Sequence, residues 1–438
     1  MTDSISLPLA DAGHLAQQLL RCQLFEEAEG LLGRILQASP DHLDALHFYS
    51  LLCHQQNRLE EAERLIRRIL ELAPGNADAH NNLGNVLQSM KRHEEAEASY
   101  FKALESYPGH ASAYNNLGVI LAGNGRTEVA LEAFRNAAEL NPESVEFRSN
   151  LANALRRSGK LDEAVTAYQE AIRIDPGHEG AWKGLARCFL LADRNDLAVQ
   201  VLEEWLRLQP GDQSIQYLLE AYRGANTPDR APNAYIQKVF DGFADQFDTH
   251  LEHLGYRAPQ LICTALASLL PAPKGTLEIL DAGCGTGLCG PLLKPHATNL
   301  TGIDLSVGML AKAEERLAYD SLVQAELTDY LGRHAGCFDA VVSSDTLCYF
   351  GDLEQVLGAA CTSLKSGGYL AFTLEAAADG DSDVKLEPSG RFVHRHSYLS
   401  KVLADAGLEI CHYSSDTIRQ EGGEAVTGHL VVARKKER

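Results

Sequence analysis

The sequence predicts an all-α solenoid followed by an α/β domain with a doubly wound, mainly parallel sheet. Prolines and alanines each recur at a constant interval of 34 residues through the first half of the chain, and these two patterns predict the solenoid. The sheet is predicted because short apolar strands alternate with helical segments from Leu277 onward. A length of 438 residues is sufficient for two or three domains.

A fixed small residue and a fixed helix terminator define the repeat. The alanines are Ala28, Ala62, Ala96, Ala130, Ala164 and Ala198, and the prolines are Pro40, Pro74, Pro108, Pro142, Pro176 and Pro210. This period resembles that of tetratricopeptide (TPR) repeats, in which each helix pair buries its apolar face by stacking on its neighbours. The resemblance implies about six repeats over residues 9–212, within a solenoid of residues 1–222.

Asparagines mark the first helix of three successive repeats. Asn82, Asn116 and Asn150 are spaced by one repeat, and an amide can both donate to and accept from a peptide backbone. The pattern resembles the asparagine ladder with which some TPR superhelices hold extended peptides. It implies a protein or peptide partner on the concave face. Two alternatives stay open: the asparagines cap or bridge neighbouring helices, or the solenoid is only a spacer.

Composition limits the classes of partner. The formal net charge is −21, and acidic residues exceed basic ones in both halves of the chain, which disfavours nucleic acid and anionic membranes as main partners. The ten cysteines form no CxxC pair, as is typical of reduced thiols in a cytosol rather than of disulfides or a metal site. No secretory signal and no apolar run of about 18 residues is visible. A cytoplasmic protein without a metal is therefore expected.

Seven strands are predicted in the second domain, residues 276–438. The last two, LEICHYSS and GHLVVARK, follow each other without an intervening helix, so the last strand is expected to run antiparallel to the others. Residues 223–275 form a linker and leading helices before the sheet. One of these helices carries Phe240, Phe243 and Phe247 on a single apolar face.

A glycine-rich turn follows the first strand. Asp281, Gly283, Gly285 and Gly287 form a pattern that resembles the S-adenosyl-L-methionine (AdoMet) loop of class I methyltransferases. The same stretch also contains a G-x-G-x-x-G dinucleotide pattern, and Asp304 at the end of the second strand suits a ribose in either fold. The acid ahead of the glycines and the hairpin of the last strands favour AdoMet over a nicotinamide cofactor.

Together with the repeats, the second half resembles bacterial TPR-containing predicted methyltransferases, and the resemblance implies an AdoMet site. Its implied cofactor-binding residues are Asp281, Gly283, Cys284, Gly285, Gly287, Asp304, Leu305, Met309, Glu326, Leu327 and Ser343. Three of these residues have an alternative role. Asp304 is then a helix N-cap, a role for which Ser306 is the other candidate. Met309 then only packs in its helix, and Glu326 is a solvated acid. In related enzymes a leading helix covers the cofactor, which adds Tyr235 and Phe240 as contact candidates.

The candidate catalytic residues are His394, Tyr349 and Arg391. An arginine at this place can bind an acceptor carboxylate through two hydrogen bonds. A general base is needed only if the acceptor is protonated, and Glu375 and His396 are further candidates for that role. Surface or helix-start roles are the alternatives. The expected function is an AdoMet-dependent methyltransferase whose TPR half recruits a protein. A small acid or lipid-like acceptor with TPR-mediated assembly, or a degenerate domain, remains possible.

Overall fold

The computed structural model describes residues 9–225, 227–378, 380 and 382–437. The chain divides into two compact units, and the boundary lies between Val201 and Leu202. We call the part before this boundary the repeat unit and the part after it the sheet unit. The boundary falls inside a helix, so the sheet unit also contains residues that the repeat pattern covers.

The repeat unit consists of helices joined by short turns. Their bounds are α1 Leu9–Arg21, α2 Phe25–Ala38, α3 Leu43–Gln55, α4 Leu59–Leu72, α5 Ala77–Ser89, α6 His93–Ser106, α7 Ala111–Gly123, α8 Thr127–Leu140, α9 Val145–Arg157, α10 Leu161–Ile174, α11 Glu179–Leu191 and α12 Asn195–Leu208, which continues into the sheet unit. The repeat-bearing helical half is confirmed. Each recurring proline lies two residues after a helix ends, as Pro74 does after α4, because proline cannot continue the helix.

The recurring small residues occupy the helix contacts. Each of the six alanines is at most 1% exposed, so a larger side chain would have to separate two packed helices. Gly118 of α7 is a second such position, because a Cβ there would lie 2.8 Å from the ring of Phe134 in α8. The buried ring fills the space that the glycine leaves, and the helices approach closely.

The first helices of the repeats from α3 onward begin at a capping residue. Asn76 accepts a hydrogen bond from the backbone N–H of Ala79 at 2.9 Å, and one repeat later His110 accepts from Ala113 at 3.2 Å. Such caps satisfy backbone donors that the first helical turn leaves open. The cap position therefore recurs with the repeat even though its residue type changes.

The sheet unit contains the end of α12 and the remaining helices and strands. The helices are α13 Gln213–Arg223, α14 Asn233–Asp241, α15 Phe247–His253, α16 Ala258–Ala267, α17 Gly290–Leu293, α18 Val307–Glu315, α19 Leu327–Arg333, α20 Glu354–Ser363 and α21 His396–Asp405, with short 3₁₀ turns at Ala244–Gln246 and Leu347–Tyr349. The strands are β1 Leu277–Ala282, β2 Ala297–Asp304, β3 Ser321–Gln324, β4 Phe338–Ser343, β5 Leu364–Ala376, β6 Val384–Leu386, β7 Phe392–His394, β8 Leu408–Glu421 and β9 Glu424–Lys435.

The described strands form one nine-stranded sheet in the order β3-β2-β1-β4-β5-β7-β6, with β9 pairing with β5 and β8. The strands from β3 to β5 are parallel, whereas β9 is antiparallel to β5 and β8. The expected fold class and the antiparallel last strand are confirmed. The expected count of seven strands is corrected to nine, because the short hairpin of β6 and β7 was not predicted.

Two apolar layers cover the faces of the sheet. Side chains alternate along each strand, so Leu280 of β1 and Val341 of β4 lie in a core with α19, α20 and α21. Their neighbours Ile279 and Val342 lie in a second core with α16 and α17. Because both faces are buried, the carboxyl ends of the parallel strands are the open edge on which a site can form.

Candidate active site

A cavity of about 320 Å³ lies at the carboxyl ends of β1, β2 and β4. Its wall on the strand side comes from the turns that follow these strands. Its cover comes from α14, α15 and the segments beside them. The covering residues are Tyr235, Ile236, Val239, Phe240, Phe243, Phe247, His250, Leu251, Leu254 and Tyr256. The cavity therefore has a polar wall of turns and a largely aromatic cover.

The glycine turn and Asp304 form one wall. Asp304 ends β2 and accepts hydrogen bonds at 2.9 Å from the backbone N–H groups of Gly285 and Ser306. Gly283 has a φ of +78°, and a Cβ there would collide with Thr346. Gly285 has a φ of +53°, and a Cβ there would meet nothing within 4 Å. The turn thus needs glycine for its backbone, and at Gly285 it leaves open space at the cavity.

Asp281 presents an unpartnered oxygen to the same cavity. The residue is 1% exposed, and its Oδ2 accepts from the Tyr319 hydroxyl at 2.6 Å. Its Oδ1 is buried and has no hydrogen-bond partner among the described residues. Burial raises the pKa of Asp281 to about 7. A buried acceptor without a donor is costly and indicates a ligand group that donates to it.

A further part of the cavity lining comes from the starts of α18 and α19. Met309 lines the cavity and is 1% exposed, while Ser306 caps α18 by accepting from the Met309 N–H at 3.1 Å. Glu326 caps α19 and accepts from Arg230 at 2.7 Å. Burial favours the neutral carboxyl of Glu326, yet backbone hydrogen bonds and the charge of Arg230 hold its pKa below the usual value. Glu326 is therefore a held anion and not a freely solvated acid.

A buried group of charges forms the floor. We call Asp345, Glu375, Glu421, Arg391 and Arg419 the acid–arginine cluster. Arg419 is 1% exposed and pairs with Asp345 at 3.0 Å, with Glu421 at 3.1 Å and with Glu375. Arg391 pairs with Glu375 at 3.1 Å and with Glu421 at 2.6 Å. The cluster joins β5, β8, the start of β7 and the turn after β4.

Known families match both halves of the chain. A model described as "Methyltransferase domain" matches residues 280–372, and tetratricopeptide-repeat models match segments between residues 23 and 222. The malonyl-[acyl-carrier protein] O-methyltransferase of Enterobacter lignolyticus is 32% identical, over 33% of this chain and 57% of that protein. The ubiquinone biosynthesis O-methyltransferase of Thiobacillus denitrificans is 31% identical, over 32% of this chain and 67% of that protein. The chain belongs to the TPR-containing class I methyltransferases.

The extent of these likenesses is limited. The chain spans about half the length of the first curated methyltransferases that it matches. The pilF protein of Pseudomonas aeruginosa is a similar solved structure, with 22% identity and a TM-score of 0.42 over 48% of this chain and 95% of that one. These likenesses therefore do not identify the substrate or the partners of this TPR-containing methyltransferase.

The structure brings most of the expected cofactor-binding residues to the cavity of the methyltransferase. Those that line it are Asp281, Gly283, Cys284, Gly285, Asp304, Leu305, Met309, Glu326 and Leu327. Tyr235 and Phe240 of the leading segment line it as well, as do Tyr349 and Arg391. Their roles in binding or catalysis remain predictions.

Three of the expected cofactor-binding and catalytic residues lie outside this lining, as do the further base candidates Glu375 and His396. Ser343 is 2% exposed and donates to the Ala282 carbonyl at 2.8 Å, so it joins β4 to β1. Gly287 packs against Tyr319, which a Cβ would approach to 2.9 Å. His394 is fully buried, and its Nε2 lies 3.1 Å from the Gly351 carbonyl. Burial lowers the pKa of His394 to about 4, so a catalytic role for His394 is not supported by its position.

Other cavity residues were not expected from the sequence. Arg419 lies in the polar strand segment DTIRQE, and nothing in that segment indicates burial. Arg230 lies in the linker, where Ala231 donates to the Tyr349 carbonyl at 2.8 Å and so joins the linker to the turn after β4. Both arginines reach the cavity through contacts with residues far away in the sequence, which single-chain patterns do not reveal.

The asparagines of the repeat unit bond to neighbouring repeats. Asn116 donates to Asn81 at 3.0 Å, Asn150 donates to Asn115 at 2.9 Å, and Asn82 lies 3.5 Å from a ring nitrogen of His47 in the preceding repeat. These bonds support the bridging alternative. Peptide binding by the same residues remains a prediction.

No described helix combines the length and apolar character needed to cross a bilayer. Among the residues that the structure describes, no group of three or more His, Cys, Asp and Glu side chains is placed to hold a metal ion. The cavity is the feature of the described residues that supports a function.

Proposed function

We propose that this chain is an AdoMet-dependent methyltransferase whose TPR solenoid recruits a protein or peptide partner. The observation that carries the first part is the unpartnered, buried Oδ1 of Asp281 beside the glycine turn. The amino group of AdoMet supplies the donor that this oxygen lacks. The open space at Gly285 and the carboxylate of Asp304 fit the rest of the cofactor, since a carboxylate can accept from both ribose hydroxyls.

The residues of the chain then have separable tasks. Asp281 binds the amino group, Asp304 accepts from the ribose, and Met309 packs against the adenine. Phe240 and Phe243 of the cover exclude water, which strengthens the polar contacts inside. When bound, AdoMet supplies an activated methyl group on a sulfonium. Positioning an acceptor in line with that group accounts for much of the expected acceleration.

Calorimetric titration of the full chain with AdoMet and, separately, with NADH tests the cofactor. AdoMet is expected to bind and NADH is not. Asp304→Asn should weaken AdoMet binding by about 2 kcal/mol, about thirtyfold, because charge-assisted hydrogen bonds are lost. The exposed Asp405→Asn is the matched control and should bind as the natural chain does. Binding of NADH alone, or an unchanged affinity of Asp304→Asn, would contradict the assignment.

Recruitment is tested separately with the triple variant Asn82→Ala, Asn116→Ala and Asn150→Ala. Peptides selected from a random library for binding to the full chain are expected to lose affinity for this variant. Glu105→Ala with Glu139→Ala is the control, because these exposed residues are also one repeat apart. Equal loss in both variants, or no loss in the triple variant, would rule out this face.

A small acceptor, bound directly or carried by the partner, is favoured over a protein side chain by one observation. The aromatic cover and the floor line a cavity of only about 320 Å³ from which methyl transfer would occur. Small-molecule sites are commonly concave and mostly apolar, with few polar groups. The charged residues at the floor of the cavity determine which acceptor fits.

A further inference from the structure

The acid–arginine cluster does not offer a free positive charge to an acceptor. It contains three carboxylates and two guanidinium groups, so with all groups ionised it carries one excess negative charge. Arg391 is paired with two of the carboxylates and Arg419 with all three. A further carboxylate at this floor would be repelled and would compete with pairs already formed. Arg391 is therefore poorly placed to bind an acceptor acid, contrary to one expectation from the sequence.

Asp345 is the member of the cluster that stands beside the glycine turn. It lies two residues after β4, and the hydroxyl of the next residue, Thr346, donates to the Gly283 carbonyl at 3.2 Å. Its backbone N–H donates to Thr373 at 2.8 Å. Asp345 has a φ of +55°, an unfavourable conformation that persists only when its surroundings enforce it. The Asp345 carboxylate is thus held where the acid–arginine cluster meets the glycine turn.

The two oxygens of Asp345 differ. Oδ2 accepts from Arg419 at 3.0 Å, whereas Oδ1 is buried and has no partner among the described residues. Asp345 lines the cavity, and its buried, unpartnered oxygen lacks a donor that an acceptor bound there would supply. The aromatic side chains of Tyr256, Tyr349 and Phe350 line the cavity as well. The acceptor that fits is an apolar molecule with a hydrogen-bond donor.

We propose that the cavity accepts an apolar molecule with a phenolic hydroxyl, and that Asp345 removes the proton of that hydroxyl during methyl transfer. This inference rests on the proposed AdoMet dependence. A phenol is favoured over an aliphatic alcohol because its pKa, about 10, is closer to that of a carboxylate base.

The step balances within the cavity. The O–H bond breaks, and the proton goes to Oδ1 of Asp345. The phenolic oxygen forms a bond to the methyl carbon, whose bond to sulfur breaks with the electron pair remaining on sulfur as a neutral thioether. Arg419 stays on Oδ2 and holds the carboxyl group in place. No further reactant is required.

The charges around Asp345 set its pKa. Burial raises the pKa of Asp345 and is the largest effect. The positive charges of Arg419 on β8 and Arg391 before β7 lower this pKa, whereas the negative charges of Glu375 on β5 and Glu421 on β8 raise it. The net result is a raised pKa. Tyr349 and Tyr256 face the same space. Activity toward a phenol should therefore rise with pH through a value above the ordinary aspartate pKa, since the base acts when ionised.

The acceptor class is tested on the full chain with AdoMet and three probes that share one apolar body: para-butylphenol, para-butylbenzoate and para-butylbenzylamine. The methyl ether of the phenol is the expected product, detected by mass spectrometry. Formation of the benzoate ester or of the methylamine as the main product would overturn the inference. So would AdoMet binding without methylation of the phenol. Absence of AdoMet binding would instead overturn the proposed function.

The role of Asp345 is tested with Asp345→Asn. Its kcat for para-butylphenol should fall by at least about a hundredfold, its dependence on pH should disappear, and its AdoMet affinity should be unchanged. An ortho-difluorinated para-butylphenol ionises without a base and should restore much of the rate. Asp405→Asn is the control with unchanged rate. Loss of rate without rescue would show a structural role only.

A measurement on the natural chain covers the case in which Asp345→Asn does not fold. With a base at work, the rates for para-butylphenol and its difluorinated form should differ little at neutral pH. The inference would be overturned if the ratio of the two rates equalled the ratio of the ionised fractions of the two phenols, with para-butylphenol reacting more slowly.

Discussion

The two units of this chain place their interacting residues at different distances along the sequence. In the repeat unit Asn116 bonds to Asn81, 35 residues away and one repeat back. In the sheet unit Arg419 reaches Asp345 across 74 residues and Arg230 reaches Glu326 across 96. In the repeat unit the spacing of residues along the sequence indicates which residues are in contact. In the sheet unit the acid–arginine cluster forms only after the strands have assembled into the sheet.

The ion pairs of the two units differ in the same way. Arg68 of α4 pairs with Asp41 and Glu71, and its side chain is 44% exposed. Arg419 of β8 is 1% exposed and holds three carboxylates. Water screens the first group and not the second, so the same pairing chemistry should have different consequences for stability.

The largest effect is expected for Arg419→Met. The variant leaves the Asp345 carboxylate without its arginine partner and removes one of the two arginine partners of Glu375 and of Glu421, so it should destabilise the sheet unit by about 3–5 kcal/mol. Hydrogen-exchange mass spectrometry across a urea series measures this on peptides from β5 and β9. Peptides from α5 to α8 are the internal control. A change below about 1 kcal/mol, the range of surface pairs, would show that the cluster is effectively solvated.

A pH-dependent effect is expected from Asp281. Its pKa is raised to about 7 in the folded chain, so the stability that it contributes is present below about pH 4 and is lost as the pH rises through about 7. Asp281→Asn stays neutral, and the stability of this variant relative to the natural chain should increase between those values. Urea unfolding at several pH values, without ligand, measures the difference. A constant difference would show that the carboxylate ionises normally.

A smaller effect is expected in the repeat unit for Gly118→Ala. A Cβ would lie 2.8 Å from Phe134, and overpacking of this kind costs about 1–3 kcal/mol. Gly30→Ala in α2 is the matched control, because its Cβ would meet nothing within 4 Å and alanine favours the helix by about 0.5–1 kcal/mol. Thermal unfolding of both variants should shift in opposite directions; a shift in the same direction would contradict the packing argument.

The smallest effect is expected for Arg68→Met, which removes the exposed pairs of α4. The change in stability should be the smallest of the four, because water screens these pairs, and it should shrink further in high salt. The same exchange experiment measures it on peptides from α4. A loss as large as that of Arg419→Met would remove the contrast between the two units.

The sequence by itself determined the repeat half, because a fixed alanine and a fixed proline each mark a contact that recurs with every unit. It also determined the turn from Asp281 to Gly287 and the acid Asp304, since glycines at these φ values and an acid at a strand end are local requirements. It did not reveal the short hairpin of β6 and β7, nor the buried position of His394. These depend on pairing with β5 and on packing that local patterns do not encode.

Only the tertiary structure decided what the floor of the cavity is. Arg419 belongs to a polar strand segment, and Arg391 was a candidate for binding an acceptor carboxylate, with a surface or helix-start role as the alternative. Assembly of the sheet places both among Asp345, Glu375 and Glu421, and the buried Oδ1 of Asp345 has no hydrogen-bond partner among the residues that the structure describes. Charges separated by many residues act on one another only when folding brings them together out of water. The proposed chemistry of the acceptor therefore depends on the fold, whereas the glycine turn is readable from the chain.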